Sequence, residues 1–386
     1  MIGAFISDRF FRRLEKAETG SLRLTTPDGK VRVFAGRTPG MNATLTLHSW
    51  RVVGHLMRRG DVGLAEAYRV GDWETDDLVA LTAFGLVNRH VLDQVMMGSG
   101  LWRRVFKVLY LLRLNSITGS RQNIQAHYDL GNAFYELWLD ASMTYSSAIF
   151  DHPQQALEDA QQNKYDRILN RLGPASGRLL EIGCGWGGFV ARAQQKGDFA
   201  IKGITLSEEQ YAYATARVAP SASIVLEDYR HQSGRFDHIV SIEMFEAVGE
   251  QYWSTYFGKI KELLAKGGKA LVQVITIREE DFLYYRRGGD FIRSYIFPGG
   301  MLPSPMRFRQ AAEHAGLCVQ DAYAFGPDYA RTLEQWLQCF ERRVGEVQAL
   351  GFDDGFIRLW RFYLAACIAA FQTGHTDVMQ VDIAHA

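Results

Sequence analysis

Leu179-Leu180-Glu181-Ile182-Gly183-Cys184-Gly185-Trp186-Gly187-Gly188 joins a short apolar run to a glycine-rich bend, and Phe189–Lys196 behind it has the composition of a helix. Glycine lets a backbone turn sharply and come close to a ligand. The glycines run GxGxGG, whereas a dinucleotide fold carries GxGxxG and an acid near the end of its second strand for the ribose. Here the second apolar run ends Gly203-Ile204-Thr205-Leu206-Ser207, with no acid at its tip. An acid precedes the first glycine instead. Glu181 would repel a phosphate and attract a cation, so the bend suits a ligand with an ammonium and a sulfonium. S-adenosylmethionine carries both groups.

Outward from this bend the pattern is that of an α/β protein. Arg178–Ile182, Ala200–Ile204, Ser223–Leu226, Asp237–Ser241 and Lys269–Ile277 are short apolar runs. Helical stretches at Phe189–Lys196, Glu208–Ala219 and Tyr252–Ala265 separate most of them. The alternation predicts a parallel, doubly wound sheet with ligands bound at the carboxyl ends of its strands. Cys318–Tyr323 and Met379–Ile383 are candidates to complete it, and Leu333–Leu350 and Phe356–Phe371 read as late helices. At the tip of the second strand, the Thr205 hydroxyl and the Gln210 amide are candidate ribose partners. Glu208 and Glu209 read better as solvated residues of a first helical turn. After the third strand comes Glu227-Asp228-Tyr229. Asp228 could accept the adenine amino hydrogens and Tyr229 could stack on the base, although Asp228 also reads as a turn or cap.

The N-terminal part has a different texture. Ser21–Thr25 and Val31–Ala35 flank Pro27-Asp28-Gly29, a hairpin turn; Ala43–Leu47 reads as a further strand and Leu78–Leu92 as a helix. This predicts a small α+β domain. Residues 94–128 contain no Asp or Glu. There Leu101, Val105, Val108, Leu109 and Leu112 share one helical face, with Arg103, Arg104 and Lys107 opposite. Such a segment serves either as a packed helix or as a basic amphipathic element on anionic lipid. Ser116–Arg121 reads as a linker, so the expected division is 1–115 and 116–386.

Bulk properties narrow the class. The 386 residues carry 43 basic and 43 acidic side chains, a formal net charge of zero that gives no whole-molecule field for nucleic acid. Cys184, Cys318, Cys339 and Cys367 are scattered, without CxxC pairing, and suit a reducing cytoplasm; no metal motif is present. Met1–Arg13 is too short an apolar run for a signal peptide, and Phe362–Phe371 is too short to span a bilayer. The expectation is a cytoplasmic protein, soluble or peripheral to the inner face of the membrane. No GxSxG elbow of a serine hydrolase occurs.

Two longer motifs make the case specific. Gln125-Ala126-His127-Tyr128-Asp129-Leu130-Gly131-Asn132 continues through Phe134-Tyr135 and Leu137-Trp138-Leu139-Asp140 to Ser142-Met143-Thr144-Tyr145-Ser146-Ser147-Ala148. Ser241-Ile242-Glu243-Met244-Phe245-Glu246-Ala247-Val248-Gly249 follows the fourth strand. With these, the chain resembles the cyclopropane-fatty-acyl-phospholipid synthase family, which includes the mycolic acid methyltransferases, over nearly its whole length. The resemblance implies a class I methyltransferase: a Rossmann-like, mostly parallel seven-stranded sheet with a small N-terminal α+β domain. It implies S-adenosylmethionine as methyl donor and the cis double bond of an unsaturated phospholipid acyl chain as acceptor. A peripheral membrane setting follows, and a homodimer is compatible with it.

By that likeness Tyr145 and Ser146, the stretch Leu179–Gly187 with Glu181, Gly183, Gly185 and Gly187, the stretch Thr205–Gln210 with Leu206, and the pair Asp228-Tyr229 touch the cofactor. The family holds a bicarbonate beside the reacting carbons, with ligands that match Glu246 and Tyr329. Cys367 matches a cysteine regarded as catalytic, although it also reads as a thiol buried in an apolar helix. An alkene is a weak nucleophile, so such a site works by proximity, by stabilising a carbocation with anions and rings, and by removing a proton. Tyr128, Tyr145, Phe245 and Tyr329 are candidate rings, and His127 reads as a structural hydrogen bonder. Arg278, Arg286, Arg287 and Arg293 are candidate phosphate contacts or a solvated face.

Two positions depart from the family. Ser147 stands where cyclopropane-forming members carry cysteine, and Ile275 where they carry a histidine on the fifth strand. Ser147 can still donate a hydrogen bond but the Ile275 side chain cannot, which predicts a weakened or reshaped bicarbonate site. The expected product is therefore a cyclopropane or, after a hydride shift, a methyl-branched or methylene-bearing chain. An N-methyltransferase acting on a small amine and a non-catalytic lipid-binding relative remain the alternative functions.

Overall fold

The computed structural model describes residues 2–96, 100–101 and 130–386. The basic amphipathic segment beyond Leu101, the linker 116–121, His127 and Tyr128 lie outside these residues. The described residues divide into two units. The first holds the residues up to 101 together with Leu283–Pro298 and Trp336–His375. The second holds the residues from 130 to Phe282 together with Gly299–Gln335 and Thr376–Ala386. The expected cut at 115 did not include the two later returns of the chain to the first unit.

In the first unit β1 (Thr19–Thr25), β2 (Val31–Ala35), β3 (Thr38–Leu47) and β4 (Trp73–Glu74) form a sheet in the order β2-β1-β3-β4. β1 and β2 make the expected hairpin, in which Gly29 takes a φ of +78° that suits glycine. Leu22, Leu24, Ala43, Leu45 and Leu47 are buried at period-two spacing. The single helix expected over Leu78–Leu92 is two, Leu78–Val87 and Arg89–Met96. Asn88 at the break is fully buried. Its side-chain oxygen accepts from the N–H groups of Glu18 (2.8 Å) and Thr19 (3.0 Å), and its amide donates to the carbonyls of Thr19 (2.8 Å) and Phe84 (2.9 Å). Those four bonds outweigh helix continuity at that residue. The returning helix Asp354–Gln372 packs on Leu78–Val87 and Asp61–Arg69. Its Arg358 donates to the carbonyls of Tyr68 (2.5 Å) and Trp73 (3.0 Å).

In the second unit all seven expected apolar runs are strands: β5 (Ser176–Ile182), β6 (Asp198–Thr205), β7 (Ser223–Leu226), β8 (Phe236–Ile242), β9 (Leu264–Ile277), β10 (Leu317–Ala324) and β11 (Thr376–His385). They form one sheet in the order β10-β11-β9-β8-β5-β6-β7. The five strands from β9 to β7 are parallel, and β11 pairs antiparallel with both β9 and β10. Leu179, Leu180, Ile239, Val240 and Val272 are fully buried, and burying each such side chain contributes about 1.5–3 kcal/mol. The chain runs outward from β5 through β6 to β7, then crosses back to lay β8 on the other side of β5. The carboxyl ends of β5 and β8 are therefore a topological switch point, where open α/β sheets bind ligands. A helix that the apolar runs did not announce, Leu157–Leu172, packs against Gly188–Lys196 and β9. Among the described residues no helix is long and apolar enough to cross a membrane.

Candidate active site

The bend after β5 departs from ordinary backbone at three glycines: Gly183, Gly185 and Gly187 have φ of +81°, +52° and +80°. The N–H groups of Gly183 and Cys184 both donate to the Ile204 carbonyl, at 2.9 Å each, which ties the bend to β6. A Cβ at Gly183 would lie 2.9 Å from Met244 Cγ, so this glycine lets the ends of β5 and β8 close together. Among the described residues a Cβ at Gly185 would meet nothing within 4 Å, so the backbone there is open. Glu181 is buried, and among the described residues its Oε2 has no hydrogen-bond partner. Burial pushes its carboxyl up to about 8, against the pull of Lys164. An orphaned carboxyl oxygen beside an open glycine fits an incoming cation. The residues present thus suit S-adenosylmethionine.

At the tip of β6 the Thr205 hydroxyl donates to Gln210 Oε1 (2.8 Å) and accepts from the Ser207 N–H (3.2 Å). Thr205 is thereby committed inside the turn, and its proton aims Gln210. Leu206 is half-buried, while Glu208 and Glu209 are exposed, as first-turn residues of the helix capped by Ser207. Asp228 caps the short turn Tyr229–His231 and holds Arg230. Its Oδ1 accepts from the Arg230 N–H (2.9 Å) and Nε (2.8 Å), its Oδ2 from the guanidinium at 2.6 Å. Burial raises this carboxyl, but the Arg230 bonds outweigh it and hold it below its ordinary value. Tyr229 is buried edge-on to Tyr256.

The segment after Asp140 brings Tyr145 and Ser146 into the same unit. The Tyr145 ring packs 5.6 Å from Tyr135 and 5.4 Å from Trp138, between ring centroids. The Ser146 hydroxyl accepts from Lys164 Nζ at 2.6 Å. Lys164 is fully buried, and burial pushes its ammonium down to about 7 while Glu243, Asp140 and Glu181 oppose the shift. This lysine was not anticipated. Its signal is a charged residue on the apolar stripe Leu157, Ala160, Gln161, Lys164, Tyr165, Ile168, Leu172, where a helix places its core contacts.

Past β8 stand two carboxyls. Glu246 accepts from the Ile275 N–H at 2.5 Å through Oε1, and its buried Oε2 has no partner among the described residues. Burial, then the neighbouring Glu243, push its carboxyl up to about 8. Tyr329, matched with Glu246 as a bicarbonate ligand, donates its hydroxyl to Glu243 at 2.6 Å. The Ser147 hydroxyl turns to the Ala148 carbonyl (3.0 Å), and its backbone N–H donates to Glu243 Oε1 (2.8 Å). The polar side chain that β9 supplies is Gln273, whose Nε2 donates to Glu243 Oε1 at 2.7 Å; Ile275 contributes only its backbone.

Other expected residues are placed as follows. Cys367 lies in the first unit, on Asp354–Gln372, where burial pushes its thiol up to about 12. Phe245 is core, packed among Trp253, Tyr256, Phe257 and Phe308. Arg293 is buried against Asp290 (2.6 Å), Arg278 holds Asp281 (2.8 Å), and Arg286 and Arg287 are exposed.

The sequence profile of the mycolic acid cyclopropane synthetase family matches residues 115–381. The tuberculostearic acid methyltransferase of Mycobacterium tuberculosis is 36% identical over 394 residues, covering 98% of this chain and 90% of that protein. The cyclopropane-fatty-acyl-phospholipid synthase of Escherichia coli strain K12 is 34% identical over 335 residues, 84% of each chain. The crystal structure of a mycolic acid cyclopropane synthase complexed with SAH and CTAB is similar with a TM-score of 0.64 and 33% identity, covering 68% of this chain and 97% of that one.

Proposed function

The chain belongs to the mycolic acid cyclopropane synthetase family, and from that premise we propose that it methylates the cis double bond of unsaturated phospholipid acyl chains. It is an S-adenosylmethionine-dependent methyltransferase of the cyclopropane synthase type. The proposal adds the acceptor, its lipid class and the inner membrane face as its place of work. The observation that carries it is the pairing of two charge environments at one switch point. Glu181, whose Oε2 has no partner among the described residues, closes β5 just before the glycine bend; Glu243 and Glu246 stand at the end of the adjacent strand.

When bound, S-adenosylmethionine supplies an electrophilic methyl on a sulfonium. Glu181 would hold the cationic end of that donor, and Lys164, through Ser146, would fix the wall opposite. Gln210, aimed by Thr205, would bind the ribose, and Asp228 and Tyr229 would border the adenine. The carboxyls past β8 would stabilise positive charge on the acyl chain and take up its proton. In a low-dielectric site that stabilisation exceeds its value in water. Because the anion site departs from the family at 147 and 275, the favoured outcome is a hydride shift followed by proton loss, which leaves a methylene-bearing chain.

The test is incubation with labelled methyl donor and vesicles of unsaturated phospholipid, followed by mass spectrometry of the released acyl chains. Label in an acyl chain heavier by one CH2 unit supports the proposal. Label on a headgroup amine, or none in lipid, sinks it. A purely cyclopropane product would refute the methylene outcome while leaving alkene methylation intact.

A further inference from the structure

The family resemblance brings with it a bicarbonate beside the reacting carbons. In this chain the donors for such an anion are engaged. The Tyr329 hydroxyl donates to Glu243 Oε2 at 2.6 Å. The Ser147 N–H and the Gln273 amide donate to Oε1 at 2.8 and 2.7 Å. Three donors that converge on one planar carboxylate form the coordination of a bound oxyanion. A second anion would find those donors spent and would face the charge of Glu243. Bicarbonate does not fit.

We propose that Glu243 takes the place of bicarbonate, as an oxyanion built into the chain. The backbone supports this. Glu243 sits at φ +50°, an uncommon conformation for a residue with a side chain. A position that would suit glycine here carries a carboxylate instead, held by its three donors. The orientation of Gln273 is itself set: Gln380 Nε2 donates to Gln273 Oε1 (3.0 Å), and Arg167 donates to Gln380 Oε1 (2.6 Å). Gln273 therefore presents its Nε2 to Glu243, and no group in the relay is left to choose. Burial raises both carboxyls, but Lys164 and the three donors oppose the rise at Glu243, whereas Glu246 has the charge of Glu243 beside it and completes the pair as its neutral member.

The assignment rests on the alkene-methylation reading. The alkene π pair forms the new C–CH3 bond as the S–CH3 bond breaks and its electrons return to sulfur. The adjacent carbon is left as a cation. Glu243 then takes one proton, and the freed C–H pair closes a three-membered ring or, after a hydride shift, forms C=CH2. The proton leaves to water when product departs. No oxidant or reductant is needed.

Methyl transfer to unsaturated phospholipid vesicles is measured in CO2-stripped buffer and in the same buffer with added bicarbonate. Wild type is expected to run at equal rates in both. Glu243→Gly, which suits the backbone, is expected to lose about 100-fold or more in stripped buffer and to recover part of that with bicarbonate. Unchanged binding of S-adenosylhomocysteine by calorimetry checks its fold. Glu243→Gln fills the space without a base and should stay inactive in both buffers. A wild-type rate that collapses without bicarbonate overturns the assignment but leaves alkene methylation standing. An active Glu243→Gln does the same. Wild type inert in both buffers contradicts the functional reading and the assignment with it.

Discussion

At neutral pH Glu181 carries its proton, because burial holds its carboxyl near 8. A bound sulfonium and ammonium would pull that value down, so S-adenosylmethionine binding at pH 7 is expected to release up to one proton. Calorimetry in two buffers of different ionisation enthalpy reads it directly, and Glu181→Gln should abolish the release and weaken binding by about 10–100-fold. Glu246 adds a second pH dependence. Folded, it keeps its proton up to about pH 8; unfolded, only to its ordinary 4.5. Its contribution to stability is complete below 4.5 and is lost as pH rises through 8. Urea unfolding across that range should show a shallower decline for Glu246→Gln. The cofactor bend was legible from its residues because glycine spacing and the preceding acid are local signals. Lys164, Gln273 and the role of Glu243 were not, because each is one polar residue in an apolar or motif context whose partners come from elsewhere in the chain. Glu243 stood in the motif beside Glu246; only the fold shows that Tyr329 and Ser147 meet it.

The strands of the large sheet were legible at the scale of elements, since each buried strand is a short apolar run and parallel order follows from the intervening helices. Helix ends were harder. Asn88 breaks an apolar stretch whose period runs on unbroken, because its four hydrogen bonds reach Glu18, Thr19 and Phe84. The turn from β5 to Gly188–Lys196 carries the sharpest element-level test. Gly183→Ala would place a Cβ 2.9 Å from Met244 at φ +81°. It is expected to destabilise the protein by about 1–3 kcal/mol, read as a lower urea midpoint, and to weaken S-adenosylmethionine binding. An alanine variant as stable as wild type would show that β5 and β8 need not close.

Over the whole molecule, the division of the chain was the least legible feature. Asp354–Gln372 has an apolar face but no local sign that it packs on Leu78–Val87 and Asp61–Arg69. A fragment 116–386 would leave that face uncovered, so it should aggregate in size-exclusion chromatography, and co-expression with 1–115 should restore a soluble species. A well-behaved isolated fragment would contradict the packing. The central claim is that a methyl group goes onto an alkene carbon and that a carboxylate then removes a proton. It is tested most directly with a trideuteromethyl donor and unsaturated phospholipid. The prediction is an acyl chain that retains two of the three deuterium atoms, since the third leaves as the proton taken by the site. Retention of all three, or deuterium on a headgroup nitrogen, would contradict it.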